Sequence, residues 1–102
     1  MTERTIYYAV VGTHRSDLNE SVEALLSTAG LAREIGRRLV VQRPWLVRCR
    51  VRRVDLTYEQ TAEIVCRWGR EDAARGQAVE YADRIMPPYR EVYLAGYRSA
   101  SK

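Results

Sequence analysis

The run Leu46–Leu56, LVRCRVRRVDL, constrains this chain most. Val47, Cys49 and Val51 alternate with Arg48, Arg50 and Arg52. A two-residue period sends successive side chains to opposite faces of a strand. One face is therefore apolar and turned toward a core. The other carries a row of guanidinium groups, which cannot be buried together without partners, so it faces water or something anionic. At Arg52-Arg53 the alternation slips and Val54 and Leu56 take over, which predicts a bulge or the strand end.

The next four residues, Thr57-Tyr58-Glu59-Gln60, have the form of a capping box: the Thr57 hydroxyl can reach the Gln60 amide, and the Gln60 side chain can reach back. A helix follows. Tyr58, Ala62, Val65, Cys66, Trp68, Gly69, Ala73 and Gly76 share one side of a 3.6-residue wheel. Glu59, Glu63, Arg67, Glu71 and Arg75 run along the other at i,i+4 spacing. Helical spacing resumes over Gln77–Ile85, after a break at Gly76, and Pro87-Pro88 stops it.

Elsewhere, Thr5–Thr13 reads as an interior strand, because both of its alternating faces are apolar. Ser16 reads as an N-cap of a first helix carrying Leu18, Val22, Leu25, Leu26 and Ala29, with Gly30 as its stop. The helical pattern resumes with Leu31, Ala32, Ile35 and Leu39. Leu39–Val41 reads as extended, ahead of a turn at Pro44, with continuation of the first helix as the alternative. Tyr89–Arg98 reads as a last strand, with Val92 and Leu94 on one face and Tyr89, Tyr93 and Tyr97 on the other. Ser99–Lys102 reads as a frayed tail.

That order, β-α-β-β-α-β, predicts an α+β fold: a single domain over 1–102, a ferredoxin-like sandwich with two helices on one face of an antiparallel sheet. Right-handed crossovers would place the first and third strands in the middle. A chain of 102 residues with 46% apolar residues suits one core. No secretory leader or bilayer-length apolar stretch is visible, so the expected location is the cytoplasm. Cys49 and Cys66 lack metal-site spacing and lie on apolar faces, so both are expected as reduced, buried thiols. No metal and no cofactor are expected.

The net charge of +4 is concentrated. Residues 33–53 hold eight arginines against Glu34 alone. Sixteen arginines against one lysine, with no phenylalanine, follow G/C-rich codon usage. That points to an actinobacterial genome or a phage that infects such a host, and a host protein is then a natural partner.

No nucleophile elbow, HExxH, P-loop or dinucleotide fingerprint is present, so the expectation is a non-enzymatic protein. His14, Arg15 and Ser16 form a candidate anion site if they open a helix, where free amides and the dipole attract negative charge. The stronger candidate is a partner-binding surface made of Arg48, Arg50 and Arg52 with Tyr89, Tyr93 and Tyr97 on one open sheet face. Such a face resembles an RNA-recognition motif in fold alone, because LVRCRVRR lacks the stacking rings which that family carries on its third strand. Arg and Tyr are equally the residues of protein interfaces. The expected function is protein interaction, with a second copy as one candidate partner, a homodimer through the terminal strand. The alternative is a nucleic-acid-binding module on the Arg/Tyr face.

Overall fold

The computed structural model describes residues 3–77 and 89–100. The helix expected over Gln77–Ile85 therefore falls, past Gln77, outside the described residues. The described elements are β1 (Arg4–His14), β2 (Glu20–Leu26), α1 (Ala29–Gln42), β3 (Leu46–Thr57), α2 (Tyr58–Ala74) and α3 (Arg90–Ala100). The fold is α+β, and the described residues form three helices and a three-stranded antiparallel sheet in the order β2-β1-β3. The chain divides into two compact units, Ile6–Asp55 and a second made of Met1–Thr5 with Leu56–Lys102.

In the unit Ile6–Asp55, β1 and β2 form an antiparallel hairpin. Its turn sits where the first helix was expected to begin. The His14 amide donates to the Asn19 carbonyl and the Leu18 amide to the His14 carbonyl, both at 2.9 Å. Asp17 Oδ1 accepts from the Asn19 amide at 3.0 Å. Asp17 and Asn19 thus act as turn residues, not as a helix N-terminus. Leu18 is 68% exposed and stands at φ 60, a left-handed conformation in the hairpin tip.

The expected helix over Ser16–Ala29 is instead β2. Its two-residue alternation is broken by a bulge: Val10 pairs with Ala24 but Val11 with Val22, leaving Glu23 extra. That break hides the strand, and the spacing of Leu18, Val22, Leu25 and Leu26 imitates a helical stripe. Helix α1 begins later, at Thr28, whose hydroxyl accepts from the Leu31 amide at 3.2 Å. It runs through Leu39–Val41, which is therefore helical rather than extended. Burial of Ala32, Ile35, Gly36 and Leu39 along one stripe overrides the local preference of Val40-Val41.

Val10, Ala24, Ala32, Ile35, Leu39 and Leu46 form the core under α1, with Cys49 and Val51 packed against it. The alternation in β3 follows the sequence reading in part: Cys49 and Val51 are half-buried and Arg48, Arg50 and Arg52 exposed, but Val47, expected on the core face, is exposed as well. The Arg15 amide donates to the Trp45 carbonyl at 2.7 Å, so the end of β1 meets the start of β3. The first strand lies in the middle as expected, but the arginine strand lies at the edge.

In the other unit, α2 opens with the capping box. The Thr57 amide donates to Gln60 Oε1 at 2.9 Å, and the Gln60 amide donates to Thr57 Oγ1 at 3.2 Å. Thr61, Val65, Trp68, Gly69 and Asp72 are buried, and Tyr58 is exposed, so the inner stripe is rotated slightly from the expected wheel. Gly76, at φ +71, follows the helix end. The expected last strand is helix α3. Tyrosines four apart share one side in either structure, so the row alone does not distinguish them. Contact with α2 decides it: a Cβ on Gly69 would overlap the Tyr93 carbonyl oxygen, and one on Gly96 the Cys66 carbonyl oxygen. Two glycines let these helices meet backbone to backbone. The order of the described elements therefore differs from the ferredoxin-like one.

Candidate functional site

Arg48, Arg50 and Arg52 lie on β3 in one unit, and Tyr89, Tyr93 and Tyr97 lie on or beside α3 in the other. Tyr93 is fully buried and its hydroxyl donates to Asp72 Oδ2 at 2.6 Å. Tyr89 is buried and stacks on Tyr58, with ring centroids 5.5 Å apart. The Tyr97 hydroxyl donates to the Gln77 carbonyl. All three belong to α3 or its entry. The terminal strand proposed for a homodimer is absent for the same reason.

His14, Arg15 and Ser16 lack the helix N-terminus on which an anion site depended. His14 Nε2 lies 2.8 Å from Ser21 Oγ, which donates to Glu23 Oε2 at 3.1 Å. With the serine proton directed at the carboxylate, Ser21 Oγ is left to accept from the Nε2–H tautomer of the imidazole. That is the reverse of a nucleophilic triad, in which the imidazole accepts the serine proton. The chain His14–Ser21–Glu23 ties β1 to β2. Arg15 Nε donates to the Pro44 carbonyl at 3.2 Å, and Ser16 is exposed in the turn.

Arg48, Arg50 and Arg52 stand on the side of β3 facing away from α1. On the same side of β1, Ala9, Val11 and Thr13 are buried, so exposure there belongs to the β3 margin rather than to a whole open sheet face. Arg50 reaches across β1 to Glu20 on β2, with Nε and Nη2 donating at 2.9 and 3.0 Å. This fork holds the Glu20 carboxyl below the usual carboxylate range, and the charges of Arg48 and Arg52 add to it.

The other side of β3 forms a groove with α1, about 490 Å³ in volume. Buried Val10, Ala32 and Gly36 make its floor, with half-buried Val40, Cys49 and Val51. Exposed Val47, Arg33 and Arg37 stand at its mouth, and Arg48 and Arg50 border it along β3. Burial pushes the Cys49 thiol up to about 11, and Glu23 adds to this while Arg43 opposes it. Glu23 and Arg43 are both buried, and the Arg43 guanidinium lies 5.4 Å from the Trp45 ring centroid. Neither was expected inside. The groove was missed because it needs α1 to run to Gln42. The signal was there, as Arg33, Gly36, Arg37 and Val40 recur at three- and four-residue intervals beside the core stripe.

Among the described residues, no His, Cys, Asp and Glu side chains gather in threes to hold a metal ion, and no helix is long and apolar enough to cross a membrane. Comparison with known proteins finds no matching family model, no similar curated protein and no similar solved structure.

Proposed function

We propose that this chain is a cytoplasmic protein-interaction module that binds its partner along the groove between α1 and β3. One observation carries the reading: an edge strand borders an apolar groove with arginines at its margins. Among the described residues β3 pairs only with β1, so no described strand covers its other edge. The groove floor offers apolar area for anchoring side chains. The unit Ile6–Asp55 holds nine arginines against five carboxylates, so it carries the whole net charge of +4 and favours an acidic partner.

The nucleic-acid alternative is weakened by where the rings lie. Tyr89 and Tyr93, which would have stacked on bases, are buried, and Arg50 is engaged with Glu20. A homodimer through β3 would set one arginine row against another, a repulsive arrangement.

The test compares capture of lysate proteins by the wild type and by Val47→Glu, with and without nuclease. Val47 is 40% exposed at the groove mouth, so the substitution leaves folding intact and adds a repelling charge. Nuclease-resistant partners that the variant loses support the reading. Partners that vanish with nuclease, or that the variant keeps, overturn it.

A further inference from the structure

We propose that the groove takes an extended acidic peptide as a fourth strand beside β3, with apolar and carboxylate side chains alternating along it. This rests on the groove being the protein-binding site, and it names the partner chemistry. The groove follows Val47–Val51, five consecutive residues of an edge strand, or about 16 Å of extended chain. Helix α1 borders the same stretch from Arg33 to Val40, about 12 Å along its axis. Strand addition at the free side of β3 lets main-chain hydrogen bonds supply the contact.

The two sides of β3 then dictate the pattern. A strand added there sends every second side chain to the α1 side of the sheet, the side of Cys49 and Val51. The intervening side chains fall on the side of Arg48, Arg50 and Arg52. Arg50 is held by Glu20. Arg48 and Arg52 are exposed, and among the described residues neither forms an ion pair with a carboxylate. They flank Arg50 at two-residue steps, which matches carboxylates two residues apart on the incoming strand. A second copy of this chain would bring arginines to those positions instead. A free phosphate would leave the apolar floor unfilled.

The probe is an eight-residue peptide of alternating valine and glutamate, labelled for fluorescence anisotropy with the full chain. Two others accompany it: a valine–lysine version, and the glutamate peptide with its amides N-methylated so that it cannot donate main-chain hydrogen bonds. The glutamate peptide should bind at least tenfold more tightly than either. The double variant Arg48→Glu with Arg52→Glu, both exposed positions, should keep its melting temperature and reverse the preference toward the lysine peptide. If the N-methylated peptide binds as tightly as its parent, strand addition is overturned while groove binding stands. If no peptide binds at millimolar concentration, the proposal is overturned and the arginine row serves only to keep sheet edges apart. The Val47→Glu capture experiment then decides the groove reading separately.

Discussion

Replacing Gly69 by alanine sets two physical effects of opposite sign against each other. In a helix interior, alanine is favoured over glycine by about 1 kcal/mol, so propensity alone predicts a more stable protein. Contact predicts the reverse. The new methyl would overlap the Tyr93 carbonyl oxygen and lie 2.7 Å from the Tyr97 nitrogen, where ordinary contact begins at 3.4 Å. Helix α3 would have to withdraw by roughly 0.7 Å or more, a gap that forfeits a quarter to a half of the dispersion attraction between the facing atoms. Trp68 and Tyr93, both fully buried, lie in this packing. Overpacking of this kind costs about 3 kcal/mol and exceeds the gain in propensity, so the net change should be a loss of about 2 kcal/mol or more. Gly30 is the control. It lies in α1, and a methyl added there would meet nothing within 4 Å, so Gly30→Ala should stabilise by up to about 1 kcal/mol. Urea unfolding monitored by tryptophan fluorescence reads both, with an unchanged m-value required for the comparison. A Gly69→Ala protein as stable as the wild type would refute the close approach of α2 and α3.

Three further outcomes follow from single contacts. Thr57→Ala removes the hydroxyl of the capping box and should lower stability by about 1 kcal/mol in the same unfolding assay; no change would mean the box does not hold α2. Arg50→Ala removes the hydrogen bonds that depress the Glu20 carboxyl, so its pKa should rise toward 4.5 in a carboxyl-carbon NMR titration. The depressed value means the pair's contribution is present above pH 4.5 and is lost as pH falls through the folded-state pKa; an unmoved titration would discount the pair. Cys49, with its thiol at about 11 against an ordinary 9.0, should alkylate about a hundredfold more slowly at pH 8 than an unhindered thiol. Its contribution to stability is fully present below pH 9 and is lost as pH rises through about 11, so fast labelling at pH 8 would place the thiol outside the core face.

Strongly periodic segments were legible in the sequence. The alternation over Cys49–Arg52 and the capping box at Thr57–Gln60 each depend on near neighbours, and both appear as read, while Val47 at the strand's start is exposed. Elements whose form depends on distant contacts were not. β2 is disguised by the bulge at Glu23, and α3 by tyrosines whose spacing suits a strand as well as a helix. At the candidate site, the arginine row was visible because charge patterning is local. The groove behind it was not, because it requires α1 to continue through Val40-Val41 and β3 to lie at the edge, and both follow from burial of Leu39 and from strand order. Glu23 and Arg43 illustrate the same limit, since no local rule marks either charge for the interior.

Amide hydrogen exchange of the full chain, measured with and without the valine–glutamate peptide, tests the central claim most directly. Pairing at the β3 edge predicts slower exchange on binding at alternate amides within Val47–Val51, those directed away from β1, with shift changes along Arg33–Val40 of α1. Unchanged exchange in β3, or protection confined to α3 and its tyrosines, would contradict it.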